Sequence, residues 1–113
     1  MHELSLAEHL LEIIEDAARA DGFRRVSKVI VEIGQLAVVE AEAMRFCFDA
    51  VMRGSLADGA QLEIVEVPGS GWCATCAATV AMSEIIAVCP RCGAYPLQAN
   101  GGRELKLRTL EVD

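Results

Sequence analysis

Cys73-Ala74-Thr75-Cys76 and Cys89-Pro90-Arg91-Cys92, twelve residues apart, decide how this chain is read. Two residues between paired cysteines let one tight turn aim both sulfurs at the same ion. Two such hooks complete a tetrahedron of thiolates, the preferred shell of structural Zn(II). Thiolate softness selects zinc or iron over calcium or magnesium. Pro90 stiffens the second hook, and Gly93 permits the positive φ that the knuckle needs; Ala77 stands at the equivalent place after the first. All four positions are cysteine, so the site offers no vacancy for a substrate water and reads as structural, not hydrolytic. A pair of redox Cys-x-x-Cys motifs would need a strand leading into a helix, which the flanking residues do not supply. A rubredoxin-like iron centre shares the second hook but spaces its hooks further apart.

Around the hooks the texture is distinct. Residues 68–102 hold four of the five cysteines, one acid (Glu84) and one base (Arg91), and Asn100-Gly101-Gly102 closes the segment. Its few core candidates are Trp72, Val80, Met82, Ile85, Ile86 and Val88. The metal must therefore supply the order, on the order of 10 kcal/mol. On the N-terminal side, residues 4–20 show helical periodicity, with Leu6, Leu10, Ile13 and Ala17 in one row and Ala7, Leu11, Ile14 and Ala18 in the next. Ser5 and Glu8 have the capping-box pattern, although a start nearer His2 fits as well, and Gly22 is the expected C′ residue. Arg25 to Ile33 alternates as a strand and Gly34-Gln35 reads as a turn. Residues 40–53 are helical through Met44, Cys47, Phe48 and Val51, and Gly54 ends them. A turn at Asp58-Gly59 leads into a strand from Ala60 to Val67, and Arg103 to Val112 returns to strand texture. The expected fold is α/β: a small sheet of about three strands packed by two helices, with an inserted four-cysteine zinc-ribbon module. Residues 1–67 plus 103–113 form the first domain and 68–102 the second.

At 113 residues the chain has room for one domain and a small module. Hydrophobic residues are 53% but aromatics only 4%, so the core must rest on Leu, Ile, Val and Ala. Six basic and thirteen acidic residues lie in 1–67, and four of each in 68–113, so the whole net charge of −7 falls in the first part. Neither part has the basic excess that binding nucleic acid or an anionic membrane requires. A basic protein partner or a metal cation is accommodated more easily. No segment is long and apolar enough to cross a membrane, and Met-His-Glu-Leu lacks the basic and apolar runs of a signal peptide. A cytoplasmic location follows as the expectation; thiols stay reduced there, which favours metal binding over disulfides. With no nucleophile–base pair, phosphate loop or open metal site, an enzyme is not expected.

Three further side chains are candidate ligands. Cys47 falls on the apolar face of the second helix and reads as a buried, inert thiol. His9 sits on the polar side of the first helix; if that helix starts at residue 2, His9 lies about 10 Å along the axis from His2, too far to share an ion. His2 is different. A bulky second residue preserves the initiator Met1, whose α-amine joins the His2 backbone nitrogen and imidazole in fused chelate rings on one ion. The Glu3 backbone nitrogen or carboxylate supplies a fourth donor. Such nitrogen-rich tetragonal sites suit Ni(II) or Cu(II). From these residues alone, an unengaged terminal histidine remains the simpler reading.

Met1-His2-Glu3-Leu4-Ser5, Val31-Glu32-Ile33-Gly34-Gln35-Leu36, the two hooks, Ala60 to Val67 and Glu104 to Val112 together resemble the HypA/HybF family of hydrogenase maturation nickel metallochaperones. The resemblance runs in order over essentially the whole chain. It implies a nickel-binding α/β domain and a zinc-ribbon domain. Nickel would be held by His2, with Glu3 contributing or tuning. Zinc would be held by Cys73, Cys76, Cys89 and Cys92. The implied partners are a HypB-type GTPase and the [NiFe]-hydrogenase large-subunit precursor; some members also serve urease and its accessory proteins. The chain departs from the family pattern at Ala77, where glycine commonly follows the first hook, and at Cys47, where a plain apolar residue is expected. The competing reading is a zinc-ribbon adaptor that binds proteins and carries no transferable metal.

Overall fold

The computed structural model describes residues 2–113. Two helices, α1 (His2–Asp21) and α2 (Ala41–Met52), accompany six strands: β1 (Val26–Gly34), β2 (Gln61–Val67), β3 (Ser70–Cys73), β4 (Ala78–Ala81), β5 (Gln98–Gly101) and β6 (Leu105–Val112). The strands form two three-stranded sheets, ordered β2-β1-β6 and β4-β3-β5. The expected class, two helices with a small sheet and a four-cysteine module, is the one observed. The chain divides into two compact units. One comprises the chain up to Val31, Val39–Val65 and Lys106–Asp113; the other comprises Glu32–Val38 and Glu66–Leu105.

In the first unit the helices follow their apolar spacing. Ala7, Leu10 and Ile14 are buried along α1, and Met44, Cys47, Phe48 and Met52 along α2. Phe48 is 1% exposed, and fully burying such a side chain is worth about 2–3 kcal/mol. Cys47 belongs to this packing, as its place in the apolar row implied. Gly22 takes φ +81° and its N–H returns to the Ala18 carbonyl at 2.8 Å, ending α1 as a C′ glycine should. The helix begins at His2, however, so Ser5 lies inside its first turns and is not the cap. Alternation sends Val29 and Val31 of β1 inward. At the C-terminal end of the chain, the Asp113 N–H meets the Arg25 carbonyl at 3.1 Å and the Ser27 hydroxyl meets the Glu111 carbonyl at 3.2 Å. The last strand thus lies beside the first. Lys28 and Glu63 form an ion pair at 3.1 Å between β1 and β2.

The second unit packs around Leu36, Cys73, Val80, Met82, Cys89 and Leu97. Leu36 comes from a segment more than thirty residues upstream of the others. The expected turn at Gly34-Gln35 is replaced by a strand that runs through Gly34 and a short 3-10 turn over Gln35–Ala37. That turn points Leu36 inward, and its N–H donates to the Gly102 carbonyl at 2.7 Å. The Gln35 amide oxygen accepts from the Gly69 N–H at 3.1 Å. Backbones approach so closely here that a Cβ on Gly34 would fall 2.1 Å from the Gly102 carbonyl, and one on Gly69 would fall 2.2 Å from that of Met82. Only glycine fits at such crossings. Asn100 and Gly101, which close the cysteine-bearing segment, belong to β5. The Asn100 side chain accepts from the Ser70 hydroxyl at 2.8 Å and donates to Thr79 at 3.3 Å, tying the three short strands together.

Candidate metal centres

The first hook lies at one end of this small sheet and the second in the connection from β4 to β5. β3 pairs antiparallel with β4, with Cys73 opposite Ala78, so the first hook is the hairpin turn between them. Ala77 takes φ +50° in that turn, and Gly93 takes φ +74° after the second hook. Both knuckles therefore use the left-handed region; the first does so with a residue that carries a Cβ, which is less suited to it. In the second hook the Gly93 N–H donates to the Cys89 carbonyl at 2.8 Å and the Cys89 N–H to the Ala94 carbonyl at 2.9 Å. These bonds fold Pro90, Arg91 and Cys92 into a closed turn.

The turns bring the four sulfurs within 4.8 Å of one another; among the described residues they are the one convergent group of metal-ligating side chains. The Cys73 and Cys92 sulfurs are 3.6 Å apart, and those of Cys76 and Cys89 are 3.8 Å apart. A tetrahedron of thiolates on an ion of zinc's size, with metal–sulfur bonds near 2.3 Å, places its corners at about these separations. The Cys76 N–H points at Cys73 Sγ and the Arg91 N–H at Cys89 Sγ, both at 3.4 Å, the outer bonds that steady thiolate ligands. Burial works to raise the Cys89 thiol, but the amides of Cys92 and Arg91 and the neighbouring sulfurs outweigh it and bring it down to about 6. Cys76 is pushed up to about 12, first by its hydrogen bond with Cys92 and then by burial. Four sulfurs this close resist ionising together unless a cation neutralises them. Geometry, donor softness and electrostatics all fit a metal ion held by Cys73, Cys76, Cys89 and Cys92.

At the other end of the chain, Met1 lies outside the described residues. The His2 imidazole is half exposed, with Nδ1 3.7 Å from Glu3 Oε2. The Glu3 side chain is only 14% exposed. Its Oε2 accepts the Glu40 backbone N–H at 3.2 Å, and this bond foremost lowers the Glu3 carboxyl below its ordinary range. Glu40 is also the cap of α2, its own carboxylate accepting from the Glu42 N–H at 3.3 Å. Sequence reasoning missed the Glu3–Glu40 tie, because no local pattern joins residues so far apart. His9 is exposed and lies 3.8 Å from Glu12 on the same helix; with α1 starting at His2, it is separated from the terminus by two turns.

Comparison with known proteins agrees with this geometry. The family model for HypA, described as hydrogenase/urease nickel incorporation metallochaperone, matches residues 1–112. The hydrogenase maturation factor HypA of Albidiferax ferrireducens is 58% identical over 113 residues, covering 100% of both chains. That of Dechloromonas aromatica is 50% identical with the same coverage. The solution structure of the Ni metallochaperone HypA from Helicobacter pylori shares the fold, with a TM-score of 0.73 at 24% identity over 99% of this chain and 97% of that one. A whole-chain family match, high identity end to end and a converging four-cysteine centre place this chain in the HypA family of nickel-incorporation metallochaperones.

Proposed function

We propose that this chain is a carrier: it binds Ni(II) at its N-terminus and hands it on during maturation of [NiFe]-hydrogenase, while Zn(II) stays at the four cysteines as a structural ion. The observation that carries the reading is the start of α1 at His2. The first amides of a helix have no intrahelical acceptor, so those of His2 and Glu3 are free of the helical ladder. The positive end of the helix dipole favours negative charge there, which eases loss of an amide proton to a binding metal. The exposed His2 imidazole, the two backbone nitrogens and the Met1 α-amine then form fused chelate rings of the kind that suits nickel. Because the Glu3 carboxylate is engaged by Glu40, Glu3 contributes its backbone nitrogen and its side chain fixes the approach.

A terminal, half-exposed site exchanges ligands readily, as a donor of metal must. Relatives at 58% and 50% identity are named hydrogenase maturation factors, which favours the hydrogenase large-subunit precursor over urease and its accessory proteins as the destination. A HypB-type GTPase is the expected partner in the transfer, and the cytoplasm, where the hook thiols stay reduced, is the expected place. Nothing in this scheme requires catalysis by the chain itself.

Elemental analysis after equilibration with Ni(II) tests the reading on wild type and His2→Ala together. Zinc near one per chain in both, with nickel held by wild type alone, is the expected result. A His2→Ala protein with full nickel affinity would sink the assignment, and zinc alone in both would leave a protein-binding adaptor.

A further inference from the structure

We propose that the four hook sulfurs are a reaction site for hydroperoxides, and that the site closes by disulfides across the hooks, Cys73 with Cys92 and Cys76 with Cys89. Two sulfur contacts, 3.6 Å for Cys73–Cys92 and 3.8 Å for Cys76–Cys89, each join one hook to the other. Each pair also joins a more exposed cysteine to a buried one. Cys92 is exposed and Cys76 half-buried, whereas Cys73 and Cys89 are 1% and 2% exposed. A peroxide reaches the more exposed member first, and the buried member waits in contact behind it. This is the arrangement in which a sulfenic acid is captured as a disulfide before it oxidises further.

The chemistry balances without another reactant. Cys92 sulfur attacks the O–O bond of hydrogen peroxide; an S–O bond forms, the O–O bond breaks, and one water leaves. The sulfur loses two electrons and the peroxide gains them. Cys73 sulfur then attacks the sulfenic sulfur, the S–S bond forms, and hydroxide leaves with the Cys73 proton as a second water. A second peroxide does the same at Cys76 and Cys89. Four thiols and two peroxides give two disulfides and four waters. When the thiolates begin on a metal, four protons come from solvent and the cation is released, since its anionic donors are gone. The crossed bonds close loops from 73 to 92 and from 76 to 89, so they hold the hooks together much as the ion did. Reduction would return the centre ready to bind again.

The release step rests on the reading of the cysteines as a metal centre; the pairing does not. The experiment therefore records metal content first. Metal-loaded full-length Cys47→Ser protein, which keeps all four hook cysteines, is treated with two equivalents of hydrogen peroxide beside a chromophoric chelator. It is then alkylated and digested with trypsin and a Glu-specific protease. Cleavage after Glu84 and Arg91 puts Cys73 and Cys76 on one peptide, Cys89 on a second and Cys92 on a third. The expected result is stoichiometric metal release, with the first peptide linked to both others and fragmentation assigning Cys73–Cys92 and Cys76–Cys89. Any other pairing, sulfinic or sulfonic acids in place of disulfides, or retention of the metal overturns the proposal. Protein that carries no metal before peroxide instead counts against the metal-centre reading, and its pairing still decides this one.

Discussion

The Glu3 carboxylate accepts the backbone N–H of Glu40 at 3.2 Å, fastening the first turn of α1 to the residue that caps α2. The bond lowers the Glu3 carboxyl, so its stabilising effect is present above the ordinary carboxylate range and is lost as the pH falls through the lowered value. Glu3→Ala should melt below wild type at neutral pH, and the gap should shrink in acid below the ordinary carboxylate range. Thermal melts at both pH values check this; equal melting temperatures at neutral pH would show that the tie contributes nothing.

Removal of metal should affect the two units unequally. The small unit has a thin core, and a four-cysteine ion contributes on the order of 10 kcal/mol to such a fold. Trp72, the one tryptophan, precedes Cys73 and is 41% exposed. A strong chelator should shift its emission to the red while helical circular dichroism is largely kept. Unchanged emission after complete metal removal would mean that the sheet around the hooks stands without the ion.

Two residues with side chains sit where glycine is at ease. Val38 has φ +56° and Ala77 has φ +50°, and Val38 is 75% exposed, so little packing is lost by truncating it. The left-handed conformation costs about 1–2 kcal/mol for an L-residue, offset in part by the larger unfolded-state entropy of glycine. Val38→Gly and Ala77→Gly should each raise stability, by up to about 1 kcal/mol. Denaturant titration of the metal-loaded protein measures this, and a loss of stability in both would contradict it.

Gly34→Ala should act in the opposite sense. The added Cβ would meet the Gly102 carbonyl carbon and oxygen at 2.1 Å, and backbone cannot swing aside as a side chain can. The expected loss is about 4 kcal/mol or more, within reach of the whole stability of a small domain. Soluble yield and melting temperature report it. Gly54→Ala is the informative control: φ is +79° but nothing lies within 4 Å, so only backbone strain should be felt.

Much of this was legible in local sequence, because local sequence carries periodicity. The rows through Leu10 and Ile14 and through Met44 and Phe48 mark both helices, and the alternation about Val29 and Val31 marks the central strand. The hooks announce their own convergence by spacing. Contacts between distant segments leave no such trace. Leu36 reads as the residue after a turn, yet it fills the core around Cys73 and Cys89. β5 is hidden because Asn100 and Gly101 are turn formers by propensity; pairing with β3 and the Asn100 side-chain bonds override that preference. Glu3 is a candidate ligand in the sequence, and the bond to Glu40 that shapes what it can donate becomes visible only when α1 is set beside α2.

The place of β6 bears on how the protein comes into being. β1 emerges early from the ribosome, but one of its two neighbours in the sheet is β6, the final strand of the chain. A nascent chain can form α1 and α2 and present its hook cysteines, but one flank of β1 stays unpaired until β6 has been made. An exposed strand edge is a template for aggregation. Premature termination within β6 would leave β1 open while sparing every candidate metal ligand, so a truncated product could still load metal yet be lost to misassembly.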